Sequence, residues 1–131
     1  MEIDHLVVPV SSYDAGKQFY ERALAPLGFS IRMDWPDRHR AFFGLPGEPS
    51  SLWLFELPAA GTLELSLRAG DARIVEGFHD AATAAGAASL HGPALDSDRN
   101  GDHYSARVLD PDGNRIEVVF RSAAHESALA A

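Results

Sequence analysis

The amino-acid sequence predicts an α+β domain made of two βαβββ modules that form an incomplete, curled mixed sheet. Two observations carry this prediction: the order of elements repeats after residue 61, and each repeat sets one helix among several short strands. A Pro- and Gly-containing segment separates the repeats, so the modules are expected at residues 1–58 and 61–121, followed by a tail at 122–131. The consecutive strands of each module are expected to pair as antiparallel hairpins.

The first module begins with residues 3–10, which are β-branched and apolar on both sides, as in a buried strand. Ser11 and Ser12 offer caps for a helix that runs through Leu24, and Pro26 and Gly28 end it. Further strands are expected at residues 29–34, 41–45 and 52–57. Both faces of the last of these are apolar, which favours core or dimer contacts for its aromatic residues.

The second module repeats this order. Residues 62–67 alternate strictly between apolar and polar side chains, and Asp71 is a suitable cap for a helix over 72–85. A weak strand is expected at 87–91 and a polar loop at 92–102. Strands at 103–109 and 114–120 flank a turn whose Pro presets φ and whose Gly accepts a positive φ.

Composition excludes several classes of function. The chain has 131 residues and no cysteine, so disulfides and thiolate nucleophiles are absent. Its net charge of −8 argues against nucleic acid as a partner, because phosphate binding needs a basic surface. No apolar run approaches the ~20 residues of a membrane span, and no secretion signal precedes the first strand, so a cytoplasmic protein is expected.

Strand alternation singles out three side chains. His5, Glu64 and Glu117 each lie on the less apolar face of a strand and are flanked by apolar residues. Ionised carboxylates in such surroundings are costly unless they are paired or bound to a metal. Imidazole and carboxylates together form a plausible divalent-metal set, whereas each residue alone is better explained as a hydrogen-bonded strand residue.

Several short motifs carry a family resemblance. They are Asp4-His5-Leu6, Phe19-Tyr20-Glu21 followed by Leu24-Ala25-Pro26-Leu27-Gly28, and Leu109-Asp110-Pro111-Asp112-Gly113-Asn114 with Ile116-Glu117. With these motifs the chain resembles, from about residue 1 to 121, the glyoxalase/bleomycin-resistance/dioxygenase family of the vicinal oxygen chelate superfamily. The resemblance implies paired modules around a metal cleft, a small-molecule ligand and a homodimer.

The resemblance also implies a metal site. His5 matches the family's first metal ligand and Glu117 its last, while Glu64 stands where a histidine is usual. The ion would be Zn, Ni, Mn, Mg or Fe, and a set with one histidine suits a Lewis acid better than ferrous oxygen chemistry. The alternative is a member that binds no metal.

Two functions follow from the resemblance. The first is a metal-dependent lyase or isomerase acting on a small metabolite with vicinal oxygens, with Glu117 or Glu56 as the base and His103 and Arg107 contacting the substrate. The second is a metal-free protein that binds a small molecule or drug, as bleomycin-resistance proteins do. For that function the acidic net charge and several aromatic side chains would suit a large cationic ligand; the aromatic candidates are Trp35, Phe42, Phe43 and Trp53.

Overall fold

The computed structural model describes residues 3–57, 62–98 and 101–121. The first module contains β1 (His5–Val10), α1 (Tyr13–Ala23), β2 (Ser30–Trp35), β3 (Arg40–Gly44) and β4 (Ser51–Glu56), with short 3₁₀ turns at Ala25–Leu27 and Pro36–Arg38. The second contains β5 (Glu64–Arg68), α2 (Ala72–Ala84), β6 (Ala88–Asp98), β7 (Gly101–Leu109) and β8 (Arg115–Phe120). The predicted repeat of βαβββ is therefore confirmed, while the linker at 58–61 and the tail at 122–131 fall outside the described residues.

Each module forms one four-stranded mixed sheet, which confirms the predicted α+β class. Sheet A has the order β1-β4-β3-β2, and sheet B has the matching order β5-β8-β7-β6. The first and last strands of each module pair in parallel, and the other neighbours pair as antiparallel hairpins. The helix of each module provides the crossover that a parallel pair requires.

Both helices begin at the side chains that the sequence predicts. The Ser12 hydroxyl accepts a hydrogen bond from the backbone N–H of Ala15 at 3.2 Å, and the Asp71 carboxylate accepts one from Ile74 at 2.9 Å. These bonds satisfy N–H groups that an α-helix leaves unpaired in its first turn. Gly28, with a φ of 91°, then turns the chain from the end of α1 and its 3₁₀ turn towards β2.

The core lies between the two helices and one face of each sheet. In the first module Val8, Leu54 and Phe43 are fully buried and belong to one cluster with Phe19 and Tyr20 of α1. In the second module the core residues are Val75, Phe78, Ala106, Val108, Ile116 and Val118. Because side chains alternate along a strand, the intervening residues lie on the opposite side, which is called the open face of each sheet below.

The predicted polar loop at 92–102 is wrong at 92–98 and 101–102, which lie in strands, while residues 99–100 fall outside the described residues. β6 continues from Ala88 to Asp98 and pairs with β7, with register shifts between Ser89 and His91 and between His91 and Ala94. An edge strand of this kind needs no apolar pattern, because its backbone hydrogen bonds to β7 form it and much of its length stays exposed. The polar composition that suggested a loop is the composition of an exposed edge.

The turn between β7 and β8 joins the two modules. The buried Asn114 donates from Nδ2 to the carbonyl oxygen of Pro9 at 3.0 Å and accepts from the N–H of Leu63 at 2.8 Å. The buried Asp110 accepts hydrogen bonds from Asn114 and from the hydroxyl of Tyr20. Burial, together with the negative charge of Asp110, raises the pKa of Tyr20 well above its ordinary value, so Tyr20 stays a hydrogen-bond donor.

Candidate functional site

Equivalent positions in the two modules can be read from the strand pairing. His5 and Glu64 each lie seven residues before the residue that caps the following helix, and each is the first residue of its strand. His5 pairs with Ser51 in β4, and Glu64 pairs with Arg115 in β8. The carboxylate of Glu64 therefore occupies in sheet B the position of the imidazole in sheet A.

The same comparison makes Trp53 the counterpart of Glu117. Val7 pairs with Trp53 across the parallel strands of sheet A, and the corresponding Ser66 pairs with Glu117 in sheet B. Both residues lie on the open face of their sheet. An indole in the first module thus stands where the second module has a carboxylate.

The open face of sheet A carries an aromatic cluster formed by Trp35, Phe42, Trp53 and Phe55. The Trp53 ring lies at its centre, with centroid distances of 5.0 Å to Phe42, 5.8 Å to Trp35 and 5.9 Å to Phe55. The first two of these ring pairs are stacked, at interplanar angles of 22° and 29°. His5 borders the cluster, with its ring 5.4 Å from that of Trp53.

The orientation of Trp53 is fixed by a hydrogen bond. Its indole N–H donates to the Ser51 hydroxyl at 2.8 Å, two residues earlier on the same strand face. All four aromatic side chains of the cluster are half-buried and keep exposed surface. Rings with this arrangement offer an ordered apolar surface to a flat ligand.

Two arginines border the aromatic cluster. The Arg40 guanidinium lies 4.3 Å from the centroid of Phe55, at one end of β3. At the other end, a Cβ on Gly44 would lie only 3.2 Å from the Arg32 side chain, so the Arg32 stem crosses the sheet over Gly44. The open face of sheet A is therefore apolar at its centre and cationic at both ends of β3.

The open face of sheet B is polar. Glu117 accepts hydrogen bonds from the Ser66 hydroxyl at 2.7 Å and from Arg107 Nε at 2.9 Å. Burial alone would raise the pKa of Glu117, but the hydrogen bonds from Ser66 and Arg107 and the nearby charges of Arg107 and His103 outweigh it and lower this pKa. The carboxylate is thus ionised and engaged by groups of its own sheet.

His103 and Arg107, predicted to contact substrate, both lie on β7 beside Glu117. Arg107 pairs directly with Glu117 across the strands, while His103 is buried and lines a cavity of about 340 Å³. The other residues lining that cavity are Ala72, Leu95, Asp102, Tyr104 and Phe120. Ser105, between the two, has a buried hydroxyl that makes no hydrogen bond within the described residues. The contact with substrate stays a prediction.

Glu56, the other predicted base, lies away from His5 within sheet A. It pairs with Val10 at the far end of β1 from His5, five residues along the strand, which is roughly 17 Å. Its carboxylate contacts His39 Nδ1 at 2.6 Å, and both residues line a polar cavity of about 320 Å³ at the start of α1. Glu56 belongs to a different pocket from the aromatic cluster.

The metal set predicted from His5, Glu64 and Glu117 is not assembled within one chain. His5 lies next to Trp53 in sheet A, Glu64 is exposed on the edge strand β5, and Glu117 is bonded to Ser66 and Arg107. Over residues 3–57, 62–98 and 101–121, no three histidine or acidic side chains lie close enough to hold an ion. As they stand in one chain, these donors do not fit a metal, and the metal site stays a prediction.

Sequence reasoning missed the role of Ser66 and the ordered stack around Trp53. The run Leu52-Trp53-Leu54-Phe55 is apolar on both faces, so alternation alone did not separate core leucines from aromatic residues of the open face. The sequence does contain a signal for the two faces, because leucine alternates with larger aromatic residues along this strand. In the structure the leucines are the buried residues.

An open pair of βαβββ modules, each with one helix and one four-stranded mixed sheet, defines a class of folds that includes binding proteins and enzymes. The model of the Glyoxalase/Bleomycin resistance protein/Dioxygenase superfamily matches residues 2–118. The chain belongs to this superfamily, which confirms the resemblance inferred from the sequence. Divalent metals, small-molecule ligands and dimers are frequent among its members. No curated protein matches the chain.

Solved structures show the same fold. A glyoxalase/bleomycin resistance protein from Albidiferax ferrireducens is 25% identical with a TM-score of 0.79, covering 91% of this chain and 98% of its own. A lactoylglutathione lyase from Agrobacterium tumefaciens is 22% identical with a TM-score of 0.67 and coverages of 91% and 92%. A glyoxalase-related enzyme from Fulvimarina pelagi is 18% identical, with a TM-score of 0.71 and coverages of 92% and 88%. In the parts of this chain that the structure describes, neither helix is long and apolar enough to cross a membrane.

Proposed function

We propose that this protein binds a small planar aromatic molecule on the open face of sheet A and does so without a metal ion. The observation that carries the proposal is the Trp53 ring, stacked with Trp35 and Phe42, at the position that corresponds to Glu117. The proposal corresponds to the binding-protein branch of the superfamily rather than to its metal-dependent enzymes.

The packing of the first module supports a binding role for these rings. Leu52 and Leu54 of the same strand are buried against α1, whereas Trp53 and Phe55 keep exposed surface on the other side. Exposed aromatic surface is costly in water, and a cluster of rings held in fixed orientation commonly marks a binding surface. A ligand ring stacked on this cluster would bury apolar area and gain aromatic contacts.

The donor set supports the metal-free form of the proposal. Trp53 lies beside His5 and is the counterpart of Glu117 in the second module. Its indole N–H is a hydrogen-bond donor only and has no lone pair to offer a metal ion. Glu117 is already engaged by Arg107, so a metal would have to displace an ion pair.

The test uses the two indole N–H signals in a ¹H–¹⁵N NMR spectrum, because the chain has two tryptophans and both belong to the aromatic cluster. Addition of a neutral flat probe, 2-naphthamide, is expected to shift both signals equally well with and without EDTA. Trp53→Ala is expected to abolish the shift of the Trp35 signal, whereas Trp53→Phe keeps a ring and part of the response. Unchanged indole signals at millimolar probe would rule out this function.

A second candidate is the metal-assisted lyase or isomerase. One observation that favours it is that His5 and Glu64 occupy equivalent strand positions in the two modules. Another is that Glu64 and Glu117 lie on the same face of neighbouring strands. This function requires that a second subunit of a homodimer bring His5 towards the two carboxylates. The metal would act as a Lewis acid on a substrate carbonyl. Glu117 is the better base candidate, since Glu56 contacts His39 in another pocket.

Metal-dependent stabilisation separates the two candidates. Zn²⁺, Ni²⁺ or Mn²⁺ bound to the native protein would raise its melting temperature, and chelation would lower it again. The metal-free proposal expects no such shift for protein purified without a histidine tag. A metal-induced rise that is lost in both His5→Ala and Glu64→Ala, but kept in the control variant His91→Ala on β6, would favour the enzyme.

A further inference from the structure

We infer that the ligand of the aromatic cluster is an anion: a flat aromatic acid whose carboxylate, or a group of similar charge and shape, is bound by Arg40. The inference rests on the proposed function and names the class of ligand for that surface. It runs against the net charge of the chain, which is −8 and by itself suggests a cationic ligand.

The acidic side chains of sheet A lie away from the aromatic cluster. Asp34 of β2 lies on the helix side, where it pairs with Lys17 at 3.0 Å. Glu56 of β4 has the same parity as the buried Leu54 and pairs with His39. Two further carboxylates lie close to this face along the chain: Asp4 precedes β1 and lies 3.5 Å from His5, and Asp37 lies in the turn between Trp35 and Arg40.

Local charge decides what this surface attracts. Interactions between exposed charges fade beyond a Debye length of about 8–10 Å at ordinary salt concentrations, so distant acids contribute little. Arg40 borders Phe55 at one end of β3, and Arg32 crosses Gly44 at the other end. A ligand lying on the aromatic cluster therefore meets guanidinium groups, although the protein as a whole is acidic.

Arg40 is placed to hold a planar acid. It pairs with Trp35 in β2 and with Phe55 in β4, so its side chain lies beside two rings of the cluster. Its guanidinium carbon lies 4.3 Å from the Phe55 centroid, and the side chain forms no ion pair within the described residues. A guanidinium held in this way binds a carboxylate through two parallel hydrogen bonds.

Trp53 does not compete for the acid group. Its N–H is already donated to Ser51, so the indole presents its ring and no free donor. Stacking then selects a flat ligand, and the arginine selects its charge. This division of roles predicts that charge preference is removed by changing Arg40 alone, while ring binding persists.

The experiment compares three probes that share one ring system: 2-naphthoate, neutral 2-naphthamide and 2-naphthylmethylammonium. Dissociation constants are measured from the indole N–H shifts at low salt. We expect 2-naphthoate to bind about tenfold more tightly than the ammonium probe, with the amide between them. Arg40→Gln should bring the three constants to within about twofold, and Arg40→Lys should restore part of the preference. Arg22→Gln, the same charge change on the exposed side of α1, should leave the preference intact.

The outcomes separate this inference from the proposed function. Equal binding of the three probes, or tighter binding of the ammonium probe, overturns the inference and leaves the aromatic binding function standing. No indole shift with any probe overturns both. If Trp53→Ala dissociates a dimer and no probe binds to wild type, the cluster is an interface between two copies, which also overturns both.

Discussion

Trp53 and Glu117 occupy equivalent positions in the two sheets, each opposite the third residue of its module's first strand. The backbone pairing is the same in both modules, but one side chain is an apolar ring and the other an ionised carboxylate. The two open faces have therefore diverged in chemistry while the fold repeats.

Alanine substitutions at two neighbouring residues of β4 should lower the free energy of unfolding by different amounts, because one side chain lies in the core and the other on the open face. Leu54→Ala removes a fully buried side chain and is expected to lower the free energy of unfolding by about 3 kcal/mol. Trp53→Ala removes a larger side chain but from the open face, and is expected to cost about 1–2 kcal/mol. Urea denaturation measures both. A larger loss for Trp53→Ala would show that its ring belongs to the core.

Glu117→Gln should make the protein less stable in a pH-dependent way. The folded-state pKa of Glu117 lies below its ordinary value of 4.5, so the carboxylate stabilises the native state above that pH. This stabilisation fades as the pH falls below 4.5 and through the folded-state pKa. We expect a loss of about 1 kcal/mol at neutral pH, because the Arg107 partner is half-exposed and screened by solvent.

Thermal unfolding at pH 7 and in steps down to about pH 3 checks this prediction. The two stability curves should converge at the acidic end. Glu64→Gln provides the control, because Glu64 is an exposed carboxylate on the same face of sheet B. A wild-type advantage that grows as the pH falls would contradict the assignment of Ser66 and Arg107 as partners of an ionised Glu117.

Asn114→Ala should destabilise both modules at once. The change leaves the Pro9 carbonyl and the Leu63 N–H without their side-chain partner and weakens the bonding of Asp110. Losing several hydrogen bonds at a buried site is expected to cost about 3 kcal/mol, and Tyr20→Phe, which removes one bond to Asp110, about 1–2 kcal/mol. Because both share Asp110, their effects in the double variant should not add. Additive losses in urea denaturation would argue against one connected network.

Adding a methyl group at two helical glycines should change the stability of the protein in opposite directions. A Cβ at Gly16 would lie 2.9 Å from Val10 Cγ1, so Gly16→Ala forces α1 away from β1 and is expected to cost about 1–3 kcal/mol. A Cβ at Gly77 would meet its nearest neighbour, Pro26, at 3.4 Å. Gly77→Ala is therefore expected to stabilise α2 by about 0.5–1 kcal/mol.

The double variant Val10→Ala/Gly16→Ala is the check on this packing argument. Shortening Val10 removes Cγ1 and Cγ2, two of the three atoms that the new methyl group would meet, and leaves Cβ at 3.0 Å. The Gly16→Ala substitution should therefore cost less in the double variant than alone. Urea denaturation of the four proteins gives this difference. If Gly16→Ala costs the same stability in both backgrounds, close contact with Val10 is not the reason for a glycine at position 16.

Most of the fold could be predicted because its signals are local. The caps Ser12 and Asp71 and the turn before Asn114 act through neighbouring backbone groups, and each is found where the sequence predicts it. The alternation expected at 62–67 lies in a strand that runs from Glu64 to Arg68. The strand β6 could not be predicted from its polar residues. This strand is formed by its hydrogen bonds to β7, and the composition of a single segment does not predict which other strand it pairs with.

For the candidate site, the sequence determined which side chains have chemistry to offer and on which strand face several of them lie. His5, Glu64, Glu117, His103 and Arg107 were named on that basis, and alternation and family resemblance sufficed for it. Only the tertiary structure decided which of them meet. It joins Glu117 to Arg107 and Ser66, gives His5 an indole as neighbour and turns Glu56 towards His39. The physical reason is that strand register, not sequence spacing, sets the contacts between residues far apart in the chain.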